Sequence, residues 1–223
     1  MSVRRIEMFA RKLLYLHQLK RNLCLEPSRL QDIQLMKLKA IIRHAYENVP
    51  FYHRKFDRAG IKPDDITSIS DLSKIPFTTK SEIQSSPYID VIARNVNIDR
   101  CVKKTTSGST GIPLTVVYDG VAEDFSGALW ARAYMENGLR RRDKMAVIQH
   151  PRFMGRKRIS EFFGINRRKY ISVFDAAERQ LRLLEDFKPD VIKGYSSSLA
   201  ILANYCKNQV SSVKPRLVFT GAD

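Results

Sequence analysis

From residue 100 onward, short β-prone runs alternate with helical stretches, and no other feature limits the fold so tightly. "CVKKTT" and "LTVVYD" flank a glycine-bearing loop, and "AEDFSGALWARAYMENG" then reads as a helix with Phe125, Leu129 and Ala133 on one face and Gly138 as its stop. "KMAVIQH" has the apolar continuity of a buried strand, "DAAERQLRLLEDF" reads as a helix capped by Asp175 with Glu178 three residues on, and "PDVIKGY" is again a strand. "SSLAILANYCKN" and "RLVFTGAD" supply one more helix and one more strand. Strands separated by helices cannot pair as hairpins, so the pattern predicts an α/β fold with a largely parallel sheet and flanking helices.

The first 95 residues have a different character and predict a helical leader packed on an α/β body over residues 96–223. Residues 29–47 place Leu30, Ile33, Met36, Ala40, Ile41 and Ala45 at three- and four-residue steps, an amphipathic helix that Pro50 stops. Ser68 three residues before Asp71, and Thr79 three before Glu82, read as capping boxes. Near the N-terminus, Ile6, Phe9, Leu13, Leu16 and Leu19 trace a helical stripe. That stripe suits docking on the body of the protein, or peripheral contact with an anionic membrane. No uncharged run approaches the ~20 residues of a membrane span, and the N-terminus has no signal-peptide pattern.

Charge narrows the partners. Thirty-nine Lys and Arg against 23 Asp and Glu leave a net +16, which favours polyanions such as nucleotides, phosphorylated cofactors or anionic lipid, or else is a solvated surface. Nucleic acid is the weaker reading, for there is no RNA-recognition aromatic motif or zinc finger. Cys24, Cys101 and Cys206 have no CxxC spacing, and His17, His44, His53 and His150 no HxxxH spacing. This argues against a disulfide framework and a metal site made of protein ligands, and fits a reducing, cytoplasmic setting.

The loop "TTSGSTGIPL", residues 105–114, holds five hydroxyls, two glycines and one proline. Glycines let backbone N–H groups converge on an anion, and Ser107, Ser109 and Thr110 add short donors, which suits a polyphosphate. It is neither GxxxxGK[ST] nor GxGxxG, and on composition alone an ordinary Ser- and Gly-rich hairpin turn serves as well.

The order of those residues resembles the phosphate-binding signature T-S-G-[ST]-T-G-x-P of the adenylate-forming superfamily. "ENVPFY", "AGI.PDDI" and "DL.KIPFTTK", followed by "DFSGALWARAYMENGLRRRDK", "FKPDVIKGYSSSLAILANY" and "VFTGAD", resemble in order the phenylacetate-CoA ligase and capsular-polysaccharide (CapK-type) branch. The resemblance runs from about residue 25 to the end. It implies part of the large N-terminal domain of an enzyme that activates a carboxylate as acyl-AMP and passes the acyl group to a thiol such as coenzyme A. ATP, Mg²⁺ and coenzyme A are the implied cofactors, and a nucleotide and a small carboxylate the implied ligands. The pyrophosphate leaving group gains charge, which a loop of N–H and hydroxyl donors stabilises.

Carried over by position, Thr106, Ser107, Gly108, Ser109, Thr110 and Gly111 hold the ATP phosphates, and Gly221, Ala222 and Asp223 lie beside the adenine. Leu114 stands where the wider superfamily often has lysine, Ile112 where phenylacetate ligases commonly have it, and Asp223 where glutamate is commoner. These departures point away from phenylacetate and toward the polysaccharide branch. His150, Tyr195 and Ser196, at strand-to-helix junctions, are further candidates for an acyl pocket. A structural histidine and helix-capping serines are the plainer readings. The family's later motifs, including its catalytic lysine, are expected beyond residue 223, so the isolated chain is expected not to catalyse adenylation. The alternative is a non-catalytic nucleotide- or polyanion-binding protein built on the same fold.

Overall fold

The computed structural model describes residues 3–106, 113–155, 164–207, 209 and 211–221. They divide into two compact units, Met1–Arg132 and Ala133–Asp223.

The first unit is mainly helical. α1 (Val3–Arg21), α2 (Pro27–Asn48) and α3 (Pro50–Arg58) follow one another closely. Pro50 ends α2 and also opens α3 at its first helical turn, where the missing N–H costs nothing. The core of the unit gathers Ile42, Phe56, Ile61 and Ile66, flanked by Leu38, Ala45, Tyr46, Tyr52 and Ile75. This corrects the phase expected for α2. Met36, Ala40 and Ile41 are exposed, and the seam runs instead through Leu38, Ile42, Ala45 and Tyr46. The helix carries two apolar stripes, and the one continuous with Val49 and α3 takes the core. The short α4 (Lys80–Ser85) opens with the expected capping box: Thr79 N donates to Glu82 Oε2 at 2.7 Å and Glu82 N donates to Thr79 Oγ1 at 3.2 Å. At the other box, the Asp71 carboxylate accepts from Ser68 N at 2.7 Å and Ser68 Oγ at 2.9 Å.

β1 (Val102–Thr105) and β2 (Thr115–Tyr118) form an antiparallel hairpin, with Thr105 opposite Thr115. α5 (Gly120–Glu136) follows, and Asp119 satisfies its first turn by accepting from Ala122 N at 2.7 Å. The apolar face expected on α5 is only partly observed. Asp124 and Ala128 are its buried residues, whereas Leu129 is exposed. Asp124 can go inward because two cations offset its charge: Arg11 Nε at 2.8 Å and Lys12 Nζ at 3.5 Å.

The second unit bears out the predicted parallel sheet. Its four strands are β3 (Met145–Gln149), β4 (Arg168–Ser172), β5 (Val191–Tyr195) and β6 (Leu217–Gly221). They lie in the order β4-β3-β5-β6, every pair parallel. α6 (Ala177–Phe187) and α7 (Ser196–Cys206) connect them. Side chains alternate across β3. Ala146 and Ile148 join Ile171, Ile192, Leu181, Leu184 and Leu202 on one face. Met145 and Val147 join Val191 on the other, against Leu139, Tyr170, Leu217 and Phe219. Burial on both faces explains why β3 is apolar without a break. The cap of α6 is Ala176, not Asp175 as expected. Asp175 sits one residue earlier and pairs with Arg179 at 3.4 Å.

Candidate functional site

The chain makes β3, adds β4 on one side of it, then crosses over to add β5 and β6 on the other. That reversal puts a topological switch point between β3 and β5, where open α/β sheets hold ligands at their carboxyl ends. Three of the sequence candidates flank it. His150 directly follows β3, while Tyr195 and Ser196 span the junction of β5 with α7. Gly221 ends the next strand over, in register with Tyr195. Parallel pairing thus brings together residues separated by up to 71 positions, as 221 − 150.

His150 is half-buried and opens a single turn of 3-10 helix, Pro151–Phe153. Its Nδ1 accepts from Arg152 N at 3.2 Å, so the proton of a neutral ring lies on Nε2. The rings of Phe153 and Phe174 meet it edge-on, with centroids 6.0 and 5.1 Å away. Gln149 Nε2 closes the same turn by donating to Phe153 O at 2.6 Å. The result is an aromatic rim at the end of β3 with one imidazole N–H held in place.

At the other side of the switch point the serine departs from the capping role. Tyr195 is the N-cap of α7 and makes no side-chain cap hydrogen bond, so Ser196 is already the first helical residue. Its hydroxyl donates to Gly221 O at 3.3 Å, tying the start of α7 to the end of β6. Gly194 makes this close junction feasible. A Cβ there would lie 3.2 Å from Leu199 Cδ2 and 3.3 Å from Ile148 O, tighter than ordinary contact. Gly194 was not a sequence candidate, and only the pairing of β5 with β3 reveals its role. Gly221, by contrast, has no atom of the described residues within 4 Å of where a Cβ would sit. Ala222 and Asp223 lie outside the described residues.

Thr106 belongs to the first unit and adds one more rung to the β1–β2 hairpin. Its N–H donates to Leu114 O at 2.9 Å, and its Oγ1 accepts from Leu114 N at 3.0 Å. With the oxygen engaged as acceptor, the hydroxyl proton is left to donate, the polarity that a phosphate oxygen requires. Lys104 steadies the hairpin, reaching Glu123 at 2.6 Å and lying over the Tyr118 ring at 4.6 Å. Ser107, Gly108, Ser109, Thr110 and Gly111 lie outside the described residues. Among the described residues no group of three His, Cys, Asp or Glu is placed to hold a metal ion. Mg²⁺ bound mainly through nucleotide phosphates and water needs no such cage.

No family model matches the chain. It is 33% identical over 193 residues to a phenylacetate-coenzyme A ligase of Escherichia coli (strain K12), a match covering 84% of the chain and 42% of that enzyme. It is 34% identical over 168 residues to the phenylacetate-coenzyme A ligase of Aromatoleum evansii, covering 73% of the chain and 37% of the relative. The chain therefore spans less than half the length of these relatives. Among solved structures it is similar in fold to 2-hydroxyisobutyryl-CoA ligase in an open conformation in complex with 2-HIB-AMP and CoA. The TM-score is 0.69 at 22% identity, over 89% of the chain and 49% of that structure. The same ligase in its thioesterification state gives 0.66 at 21% identity, over 83% of the chain and 41% of that structure. The sequence relatives support membership of the adenylate-forming superfamily, and the solved structures share the fold.

Proposed function

We propose that the chain supplies the nucleotide-holding part of an adenylate-forming acid–CoA ligase. In this reading a carboxylate attacks the α-phosphate of ATP, pyrophosphate leaves, and a thiol such as coenzyme A then takes the acyl group from AMP. The observation that carries the proposal is the 33% identity to a phenylacetate-CoA ligase over most of the chain, within a segment that includes "TSGSTG".

The residues divide the work by chemistry. Thr106, with its hydroxyl proton left to donate, and Ser107 to Gly111 grip the β- and γ-phosphates. Mg²⁺ would be held mainly through those phosphates and water, and would offset their charge. Gly221, Ala222 and Asp223 flank the adenine at the end of β6. His150, Tyr195 and Ser196 line the acyl side at the switch point. Leu114 in place of a lysine favours a substrate of the capsular-polysaccharide branch over phenylacetate. Reading the chain as a piece of a longer ligase fits its coverage of less than half of its relatives.

The test is binding of non-hydrolysable acyl sulfamoyl adenosines carrying a panel of aryl and alkyl groups. A ligase segment binds at least one of them about tenfold or more tightly than AMP, because its acyl side adds contact area. Uniform affinity for AMP and the whole panel overturns the ligase reading in favour of a nucleotide-binding protein.

A further inference from the structure

Helix α1 is docked with the wrong face outward for an ordinary surface helix. Its inward side carries the cations Arg11 and Lys12, both paired to Asp124, whose side chain is only 3% exposed. Tyr15 packs edge-on against Phe125 at 5.3 Å, and Leu19 is buried. Gly127 leaves room for the Lys12 stem, since a Cβ there would lie 3.4 Å from Lys12 Cε. The outward side presents Ile6, Phe9 and Leu13, which are 51%, 60% and 47% exposed. At spacings of three and four they form one ridge over about two turns, with Leu14 exposed beside it. A helix that merely covers the body would bury this stripe and turn its cations to water.

We infer that α1 is a membrane-surface contact: its outward apolar ridge inserts at the headgroup level of an anionic bilayer, to which the net positive charge of the chain draws it. Charge selects this occupant. Residues 1–21 contain Arg4, Arg5, Arg11, Lys12, Lys20 and Arg21 against the single acid Glu7. The whole chain carries +16, which draws it to an anionic surface and opposes a second copy of itself on the same ridge. Among the described residues no helix is long and apolar enough to cross a membrane, so the contact is one of a helix lying in the interface plane. The inference does not depend on nucleotide binding.

Flotation of the full chain with vesicles tests it. Phosphatidylcholine vesicles containing about 30 mol % phosphatidylglycerol are compared with pure phosphatidylcholine. The expected result is binding to the anionic vesicles about tenfold or more stronger than to the neutral ones, weakened by added salt. Phe9→Glu with Leu13→Glu removes about tenfold or more of that binding while circular dichroism stays unchanged, because both positions are already exposed. Phe9→Trp keeps the binding, and its emission shifts to the blue on anionic vesicles alone. Absence of vesicle binding overturns the inference. So does binding that the double variant leaves intact, which would mean charge attraction elsewhere on the chain. A concentration-dependent doubling of mass abolished by the same double variant also overturns it, since a second copy would then occupy the ridge.

Discussion

Replacing Gly194 by alanine tests the junction on which the switch-point site is built. The new Cβ would sit 3.2 Å from Leu199 Cγ and Cδ2 and 3.3 Å from Ile148 O, so its neighbours must yield by a few tenths of an ångström. Leu199 can change rotamer, but Ile148 O belongs to the backbone of β3, whose residue 148 pairs with residue 194. Overpacking of this kind costs roughly 1–3 kcal/mol. Replacing a glycine inside a strand returns about 0.5–1 kcal/mol of chain entropy. The net expectation is a destabilisation of about 0–2.5 kcal/mol. For a unit of this size that lowers Tm by up to roughly 20 °C. Gly194→Val adds two more atoms to the same gap and should cost about twice as much. Thermal unfolding followed by far-ultraviolet circular dichroism, with hydrogen exchange at the amides of β5, reads both effects. A Tm at or above that of the parent chain for both variants would refute the close approach of β5, α7 and β3.

Two further perturbations probe the first unit. Lys55, followed by the N–H and hydroxyl of Thr79, holds the Glu82 carboxyl at about 2, below its ordinary 4.5. A depressed carboxylate contributes stability that is fully present above 4.5 and lost as pH falls toward 2, so Tm should drop across that window. Glu82→Gln should flatten the drop, and an unchanged pH profile would contradict the pairing. Asp124→Ala removes the acceptor shared by Arg11 and Lys12, at a cost of about 1.5–3 kcal/mol for hydrogen bonds to charged groups. Hydrogen exchange should accelerate along α1 and stay constant in β3 and β5; uniform protection would contradict the docking.

Much of the architecture was legible because period and punctuation coincide. The strand–helix alternation after residue 100 leaves little besides a parallel sheet, and the Thr79–Glu82 box forms as its spacing predicts. The sequence misleads where burial depends on a distant partner. α2 carries two apolar stripes of similar strength, and only the position of α3 decides that Ile42 is buried while Ile41 is not. Asp124 looks like a surface acid until Arg11 and Lys12 reach it across more than a hundred residues. Ser196 looks like a cap because serines at helix starts usually are, yet the pairing of β5 with β6 puts Gly221 O within its reach. Of the candidate site, the strand-end residues could be found from pattern alone. Gly194 could not, because the atoms that exclude a side chain there come from another strand and the following helix.

Nucleotide binding to the glycine hairpin is the most direct test of the account. Calorimetric titration of the chain with ATP and Mg²⁺ is to be compared with the same titration of a Gly108→Val, Gly111→Val variant. The account predicts that the parent chain binds ATP and that the variant binds at least about tenfold more weakly, a loss of about 1.4 kcal/mol or more, with its melting temperature unchanged. Equal affinities, or no ATP binding by the parent chain, would contradict it.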